Sequence, residues 1–230
     1  MLSDIEQLLL SLSTEQLVQD FYFVGGTALG YYLDHRVSYD IDLIRTDKLD
    51  PASLMALSVT YDAQFVPDKD ASRFRINTGN DLREYKMMFT IGGIKVEFFY
   101  PNDPTQIAIV NKYKSQCNTV HGIQILPLDA IAQLKLLAFL GRRKIRDLFD
   151  IFILVRSDHL SIETIDKYTA LKYDKTFVEY VEAFSDDKSE SLDFDAHHEF
   201  EQVFAGRSLD YKERFLKEKL IEEYTRRVKQ

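Results

Sequence analysis

The stretch FYFVGGTALGYYLDHRVSYDIDLI, residues 21–44, decides how this chain must fold. It begins with an aromatic and β-branched run, passes through a GGT tripeptide at 25–27, and ends in a second apolar run that contains Asp40 and Asp42. Burying two neighbouring carboxylates costs several kcal/mol unless a cation neutralises them. The stretch therefore predicts two strands joined by a turn and a helix, with a cation site at the carboxylates.

The two aspartates are spaced for a metal site. On a strand, residues i and i+2 point to the same face, so the Asp40 and Asp42 carboxylates should project together. Mg²⁺ in proteins is held by one or two carboxylates, and water and phosphate oxygens complete its coordination. The alternative interpretation is an exposed edge strand with two solvated aspartates, which the DxD spacing by itself does not exclude.

The glycines beside the first apolar run favour the metal interpretation. A glycine turn that leads into a helix lets backbone N–H groups approach a phosphate closely, and Thr27 can donate a side-chain hydrogen bond. Taken alone, Gly25-Gly26 could be only a tight strand-to-helix turn. A phosphate-binding turn followed at short range by a metal-binding strand indicates a nucleoside triphosphate site, because this ligand needs both.

The remaining sequence predicts an α/β (α+β) protein with a helical C-terminal region. Gly92-Gly93 separates two β-rich runs and predicts a hairpin, and from residue 127 the apolar spacing becomes helical. We expect a mixed, antiparallel-rich sheet flanked by helices in a catalytic domain, residues 1–125. A helical region, residues 126–230, would complete the active site. The predicted elements are helices over 2–17 (broken near 13–14), 28–33 and 51–57, strands over 21–24, 39–46, 71–79 and 84–100, helices over 128–141 and 146–156, and an exposed loop over 185–195.

Composition excludes several classes of protein. The 230 residues carry 29 lysines and arginines against 37 aspartates and glutamates, and the net charge of −8 argues against a surface that coats nucleic acid. The single cysteine, Cys117, allows no intramolecular disulfide and favours a reducing compartment. The acidic N-terminus does not resemble a signal peptide, and no apolar run approaches the roughly 18 residues of a membrane span. We expect a cytoplasmic protein without a membrane partner.

The GG turn and the D-x-D strand, residues 25–26 and 40–42, together resemble the signature of the nucleotidyltransferase superfamily that includes DNA polymerase beta. The fuller string GGTALGYYLDHRVSYDIDL, residues 25–43, closely resembles the AbiEii-type nucleotidyltransferase toxins of bacterial abortive-infection toxin–antitoxin systems. Arg36 and Ser38 fit that family's Arg-x-Ser-x-Asp-(Ile or Leu)-Asp pattern. The resemblance implies that both residues help to bind the nucleotide.

A second stretch, LDAIAQLKLLAFLGRRKIRDLFDIFIL at 128–154, resembles the family's later motif, a lysine on one helix and Arg-Asp-x-x-Asp on the next. Lys135 and the RDLFD run at 146–150 match it. The resemblance implies that Lys135 contacts the triphosphate and offsets charge on the departing pyrophosphate. Without the resemblance, a lysine on this apolar helix could equally extend its ammonium group to solvent.

Asp147 and Asp150 lie three residues apart and therefore on one helix face. They would hold Lys135 or Arg146 in place, or act directly. Asp150 stands among apolar residues where an unpaired charge would be costly, so we favour Asp150 over Asp147 as the catalytic residue. His35 is interpreted as structural.

The resemblance also implies a third carboxylate on a neighbouring strand, and Glu97 in the run IKVEFF is the candidate. Glu97 would join Asp40 and Asp42 as a metal ligand, with a second Mg²⁺ as an option, or would accept a proton from the attacking hydroxyl. Aspartate is commoner at this position in the superfamily. The alternative interpretation is a solvated glutamate on a half-exposed strand.

The densest basic run consists of Arg142, Arg143, Lys144 and Arg146. One interpretation is a solvated turn that offsets the dipole of the preceding helix. The other is a landing site for a triphosphate or an RNA backbone in an otherwise acidic protein. In the second interpretation Arg146 stabilises phosphate charge together with Lys135.

The sequence therefore predicts a Mg²⁺-dependent nucleotidyltransferase that moves a nucleoside monophosphate from an NTP to an acceptor hydroxyl. By resemblance the acceptor would be RNA, with tRNA as the first candidate, and the enzyme would be the toxin beside a cognate antitoxin. One alternative is a small-molecule nucleotidyltransferase, similar to the enzymes that modify aminoglycosides. Another is a nucleotide-binding protein without transferase activity, and the intact carboxylate pair argues against it.

Overall fold

The computed structural model describes residues 3–186 and 195–229. The chain divides into two compact units, Met1–Tyr32 with Ser38–Pro127, and Leu33–Val37 with Leu128–Gln230. The catalytic role expected for residues 1–125 stays a prediction. The predicted loop over 185–195 falls mostly on residues 187–194, which lie outside the described residues.

The first unit is built on a seven-stranded mixed sheet. Four of its six strand pairs are antiparallel and two are parallel, which confirms the predicted antiparallel-rich sheet. The strand order is β3-β4-β5-β2-β1-β7-β6. The strands are β1 (Tyr22–Val24), β2 (Ile41–Ile44), β3 (Gln64–Val66), β4 (Lys86–Ile91), β5 (Ile94–Phe99), β6 (Asn118–Val120) and β7 (Ile123–Ile125).

Five helices accompany this sheet in the described part of the first unit. The helix predicted at Pro51 is confirmed, with Asp50 as its N-cap accepting hydrogen bonds from the backbone N–H groups of Ala52 and Ser53. The N-terminal helix ends at Leu12, close to the predicted break. The helices are α1 (Asp4–Leu12), α2 (Gly25–Leu33), α3 (Pro51–Thr60), α4 (Ala71–Thr78) and α5 (Pro104–Tyr113).

The predicted strand over residues 71–79 is wrong, because this segment forms helix α4. Its apolar residues Phe74 and Ile76 are two positions apart, which is the spacing of a strand face. Here the spacing does not mark a buried face, since the Ile76 side chain is 84% exposed. Gly79, with a φ of 73°, ends the helix in the left-handed conformation that favours glycine.

The predicted hairpin is confirmed. Gly92 and Gly93 have φ values of 56° and 85°, and they connect β4 to β5 through the two-residue turn expected of a Gly-Gly pair. The pairing begins at Ile91 and Ile94, so the turn fixes the register of both strands.

The second unit is helical in the part that the structure describes, which confirms the predicted helical C-terminal region. Its core contains most of the side chains of the two helices that carry the later motif. No described helix of the chain is long and apolar enough to cross a bilayer. The helices are α6 (Leu128–Gly141), α7 (Ile145–Arg156), α8 (Ile162–Lys172), α9 (Phe177–Glu182), α10 (Glu199–Phe204) and α11 (Leu209–Val228).

Candidate active site

The two predicted metal ligands stand at the beginning of β2. Asp42 is its second residue, whereas Asp40 immediately precedes the strand, so the predicted strand is shorter than expected. Both side chains are half-buried. The Thr27 hydroxyl donates to the Asp40 carbonyl oxygen at 2.5 Å and lies 3.0 Å from the Ser38 hydroxyl. Thr27 and Ser38 therefore fix the backbone that carries the aspartates.

Gly25 is in direct apposition to the Asp42 carboxylate. It is the first residue of α2 and has a φ of 81°, a value that L side chains rarely adopt. A Cβ added at this position would lie 1.8 Å from Asp42 Oδ2. The glycine is required because the strand carboxylate and the start of the helix occupy the same small space. The backbone pair Val24–Asp42 between β1 and β2 sets this approach.

Glu97 stands beside Asp42. The parallel pairing of β2 with β5 makes the two residues Cα partners, so their side chains project from the same face of the sheet. The Glu97 side chain is 27% exposed, and its Oε2 lies 3.4 Å from Lys86 Nζ. Lys86 also lies 3.6 Å from Asp68 Oδ2. Glu97 is therefore adjacent to the aspartate pair, but its negative charge is offset by Lys86.

The donor chemistry of this unit fits a hard divalent cation. Asp40 and Asp42 supply carboxylate oxygens, and two such ligands with water are enough for Mg²⁺. Among the residues that the structure describes, no group of three or more His, Cys, Asp or Glu side chains is arranged to hold a metal. The aspartate pair is therefore the candidate ligand set, and Glu97 would have to leave Lys86 to join it.

In the second unit, residues of the later motif form a network of ion pairs and hydrogen bonds around Asp150. This carboxylate is fully buried and accepts four hydrogen bonds or ion-pair contacts. Oδ1 receives His35 Nε2 at 2.8 Å and Arg36 Nε at 2.7 Å. Oδ2 receives an Arg36 terminal nitrogen at 2.9 Å and Lys135 Nζ at 2.8 Å. Asp150 thus joins the segment before Ser38 to helices α6 and α7.

The charge state of Asp150 follows from these partners. Burial by itself would raise the pKa of its carboxyl, but the charges of Arg36 and Lys135 and the hydrogen bonds from His35 and Arg36 hold that pKa well below its usual range. Burial lowers the pKa of the Arg36 guanidinium, and Asp150 more than offsets this, so the pKa is raised. The carboxylate is ionised at neutral pH, and the contacts favour a role in holding cations over one in proton transfer.

The predicted nucleotide ligands of this unit are placed differently from one another. Lys135 is only 6% exposed, which rules out the interpretation of an ammonium group extended to solvent. The Arg36 guanidinium is buried, and it is engaged by Asp150 and by the Val37 carbonyl oxygen. Among the described residues, no hydrogen bond or ion pair holds the half-buried Arg146 side chain. Roles in nucleotide binding stay predictions for all three.

Asp147 contacts Lys135, one of the two partners that the sequence suggested, but its closer partner is Arg142, which the sequence did not suggest. Its carboxylate is fully buried and accepts from Arg142 Nε at 2.7 Å and from an Arg142 terminal nitrogen at 3.0 Å. Lys135 Nζ lies farther away, at 3.8 Å. One arginine of the basic run is therefore committed to a structural ion pair.

The sequence analysis did not identify Lys86 as the ion-pair partner of Glu97, although a usable signal was present. The two-glycine turn fixes the register Ile91–Ile94, and counting back from it makes Met88 the partner of Glu97. Lys86 is two residues from Met88 on the same strand face, within reach of a diagonal neighbour. The hairpin signal and side-chain alternation together would have placed a lysine beside the third carboxylate.

The fold and the placement of these motifs define a nucleotidyltransferase. A family model described as "Nucleotidyl transferase AbiEii toxin, Type IV TA system" matches residues 7–227. The chain belongs to the AbiEii nucleotidyltransferase toxin family, and a type IV toxin–antitoxin system implies a cognate antitoxin partner. The family predicted from the two motifs is confirmed over nearly the whole chain.

Several solved structures are similar to this chain, two of them from Helicobacter pylori. JHP933 from Helicobacter pylori is 20% identical with a TM-score of 0.46, and the match covers 100% of this chain and 96% of that one. A protein from H. pylori described as a candidate nucleotidyltransferase is 20% identical with a TM-score of 0.50, covering 99% and 98%. The second likeness supports the fold. Among curated proteins, none matches the sequence.

Proposed function

We propose that this enzyme transfers a nucleoside monophosphate from an NTP to a hydroxyl group of RNA, with tRNA as the first candidate, in a Mg²⁺-dependent reaction. The transfer would be the toxic activity that the cognate antitoxin counteracts. A single cysteine and an RNA acceptor fit a cytoplasmic site of action.

The observation that carries the proposal is the contact of Gly25 with Asp42, with Glu97 beside them. The backbone at the start of α2 and the Asp42 carboxylate, the proposed metal ligand, meet with no room for a side chain between them. A triphosphate needs N–H donors and a cation at one place, and a helix N-terminus beside carboxylates supplies both. A protein that only bound a partner would not need this apposition.

The chain's own residues would divide the work as follows. Backbone N–H groups of Gly25 and Gly26 hold the triphosphate, while Thr27 and Ser38 fix the loop that carries the aspartates. Asp40 and Asp42 would hold Mg²⁺, which neutralises phosphate charge when bound.

In the transfer step, the acceptor oxygen bonds to the α-phosphorus, the bond to pyrophosphate breaks, and Glu97 takes the hydroxyl proton. Lys135 and Arg146 are proposed to stabilise phosphate charge, with Arg36 and Asp150 in support.

The test is incubation with each α-³²P-labelled NTP, Mg²⁺ and total tRNA. Wild-type protein should label RNA from a preferred nucleotide, and Asp42→Asn should abolish labelling while keeping the wild-type melting temperature. Asp47→Asn, an exposed aspartate beyond β2, is the matched control and should label normally. Transfer retained in a folded Asp42→Asn protein would contradict the metal-site assignment.

The same assay separates the alternative functions. Label on a small molecule instead of RNA would favour a small-molecule nucleotidyltransferase. Mg²⁺-dependent NTP binding without any transfer would favour a nucleotide-binding protein without transferase activity.

A further inference from the structure

Helix α4 differs from the other four helices described in the first unit, because none of its residues is buried. Its aromatic contact with the rest of the unit is made by Phe74, whose ring centroid lies 5.3 Å from that of Tyr85, just before β4. A helix that buries no side chain adds little to the core, since most helical stability in proteins comes from packing. The outward side chains of α4 are therefore free to contact a ligand.

The α4 surface, which we define as residues 69–80, is locally basic in an acidic protein. It contains Lys69, Arg73 and Arg75 but one acidic residue, Asp70, so its net charge is +2 (three minus one) against −8 for the chain. Arg73 and Arg75 are exposed, and among the described residues neither side chain has a hydrogen bond or an ion pair. The two arginines can therefore take up anionic groups without breaking a contact.

The carboxylates that flank the α4 surface do not compensate these arginines, because each has another cation as its ion-pair partner. The flanking pairs are Asp68 with Lys86, Asp81 with Arg83 and Glu84 with Lys48. An approaching polyanion would thus meet two uncompensated guanidinium groups beside carboxylates that are already neutralised.

Aromatic and apolar side chains lie beside the arginines. The rings of Phe74, Tyr85 and Tyr100 form a half-buried row, with centroids 5.3 and 5.8 Å apart. Ile76, three residues after Arg73 and thus on the same helix face, is 84% exposed. Proteins bind single-stranded nucleic acid with cations that follow the phosphates and with aromatic or apolar groups that contact bases. The composition of this surface suits that ligand.

The α4 surface is connected to the candidate site on the side of Glu97, the residue proposed to accept the proton of the attacking hydroxyl. Lys86 Nζ lies 3.4 Å from Glu97 Oε2 and 3.6 Å from Asp68 Oδ2. The other oxygen of Asp68 accepts from the backbone N–H of Asp70, the N-cap of α4, at 2.9 Å. Three contacts therefore separate the proposed proton acceptor from the helix.

The proposed triphosphate site lies toward the other end of the sheet. The start of α2 follows β1, whereas α4 follows the edge strand β3, and three strands lie between β1 and β3. Adjacent strands are about 4.8 Å apart, so the two positions are separated by roughly 19 Å across the sheet. The α4 surface is therefore placed for the acceptor and not for the triphosphate.

We propose that the α4 surface binds the sugar–phosphate backbone of the acceptor RNA near its reacting end. Arg73 and Arg75 each neutralise one phosphate, and Ile76 contacts a base or ribose. The inference rests on the proposed transfer to RNA and adds the surface that holds this acceptor. Since phosphate contacts carry no sequence information, the surface accepts any terminal base. A protein partner fits less well, because Ile76 is a single exposed apolar side chain and not an extended apolar patch.

The first test measures RNA binding by fluorescence anisotropy across a series of salt concentrations. The probe is a fluorescein-labelled single-stranded RNA oligonucleotide of mixed sequence, without NTP or Mg²⁺. In Arg73→Gln/Arg75→Gln the slope of log K against log salt should become shallower by about 1.4, the value for two phosphate contacts on a single strand. Because this electrostatic contribution vanishes near 1 M salt, binding at 0.1 M should weaken about 25-fold.

Two further double variants make the test specific. Arg73→Lys/Arg75→Lys keeps both charges and should keep the wild-type slope. Arg207→Gln/Arg214→Gln removes the same two charges from exposed positions of the second unit and should also leave the slope unchanged. An unchanged slope in Arg73→Gln/Arg75→Gln, or an equal change in the Arg207→Gln/Arg214→Gln control, would overturn the inference. Unchanged RNA binding together with dissociation of a dimer in Ile76→Glu, seen by sedimentation, would instead make α4 an interface between two copies.

A transfer measurement separates this inference from the proposed function. With the preferred labelled NTP, Arg73→Gln/Arg75→Gln should raise the KM for the RNA acceptor about 25-fold at 0.1 M salt and leave kcat and the KM for the NTP as in wild type. The predicted change of slope without any labelling of RNA by wild-type protein would keep the surface and refute transfer to RNA. Labelling of RNA with an unaltered acceptor KM in the variant would keep the transfer and refute the surface.

Discussion

At the scale of single residues, Gly25 is the position where the site tolerates least change. We predict that Gly25→Ala lowers transfer by about a hundredfold, because displacing the Asp42 carboxylate by an ångström is enough to spoil alignment. The new Cβ would meet Asp42 Oδ2 at 1.8 Å, so the carboxylate must move. Mn²⁺ affinity, measured by electron paramagnetic resonance, should fall in parallel with transfer.

Gly93→Ala is the matched control for this substitution. Gly93 has a φ of 85°, close to that of Gly25, but a Cβ there would meet nothing within 4 Å. It should destabilise the protein by about 1 kcal/mol through backbone strain and leave Mn²⁺ affinity unchanged. Equal losses of Mn²⁺ affinity in both variants would show that backbone conformation, and not the contact with Asp42, controls the site.

Asp150 is the residue whose loss should cost most stability. Asp150→Asn leaves the buried Arg36 without its counter-charge and leaves Lys135 with only Asp147, 3.8 Å away, so we predict a fall in the free energy of unfolding of about 3–5 kcal/mol. Urea denaturation at pH 7 measures it. The control Asp174→Asn changes an exposed aspartate and should stay within about 0.5 kcal/mol of wild type. A loss below 1 kcal/mol for Asp150→Asn would contradict the network.

The stabilising effect of Asp150 should depend on pH. The folded pKa of Asp150 is depressed, so its stabilising contribution is fully present above the unfolded value of about 3.9 and is lost as the pH falls toward the folded value. The stability difference between wild type and Asp150→Asn should therefore be constant from pH 7 to 5 and shrink below about pH 4. A difference that shrinks between pH 7 and 5 would mean that another group dominates.

At the scale of elements, prediction from the sequence succeeded where local chemistry determines conformation. Gly92-Gly93 and the Asp50-Pro51 cap each act through backbone geometry that neighbouring residues do not override. Helix α4 was missed because apolar residues two positions apart resemble a strand face, even though no residue of this segment is buried. Strands β6 and β7 are three residues each, too short to show alternation. Glu97 was proposed as a neighbour of Asp42 from the resemblance to the family, because the pairing of β2 with β5 is long-range and no local pattern gives it.

The β4–β5 hairpin also yields a prediction about its lysine. Lys86→Met removes the positive charge 3.4 Å from Glu97, and the affinity of the nucleotide-free protein for Mn²⁺ should rise five- to tenfold, as expected for about 1 kcal/mol of repulsion near water. Paramagnetic resonance titration measures it without any transfer assay. Lys112→Met, an exposed lysine on α5, should leave the affinity unchanged. Unaltered binding in Lys86→Met would place Glu97 outside the metal site.

At the scale of the whole molecule, the sequence identified the enzyme class better than it identified the network. The Gly-Gly and DxD spacing and the later motif were enough for the family, since each is a local string. The segment Leu33–Val37 belongs to the helical unit although it runs from the last residue of α2 toward β2, and nothing local indicates this. The resemblance to the family predicts Arg36 as a nucleotide ligand, and this role stays a prediction. Only the three-dimensional pairing with Asp150, 114 residues away, shows where its charge is used.

The last prediction concerns RNA binding. Because the protein has a net charge of −8, it must bind RNA through a local basic surface. Arg142 is committed to Asp147, which leaves Arg143 and Arg146 as arginines of the run without an ion-pair partner among the described residues. In the double variant Arg143→Ala/Arg146→Ala, the slope of log K for tRNA against log salt should become shallower by about 1.4–1.8, the value for two phosphate contacts.

Fluorescence anisotropy across a series of salt concentrations measures this slope. The exposed Arg214 on α11 serves as the control, and Arg214→Ala should leave the slope as in wild type. Because counterion release counts phosphate contacts and is insensitive to base identity, the double variant should weaken the binding of all tRNAs alike. An unchanged slope would make the run a solvated turn, and the RNA backbone would then have to be held elsewhere.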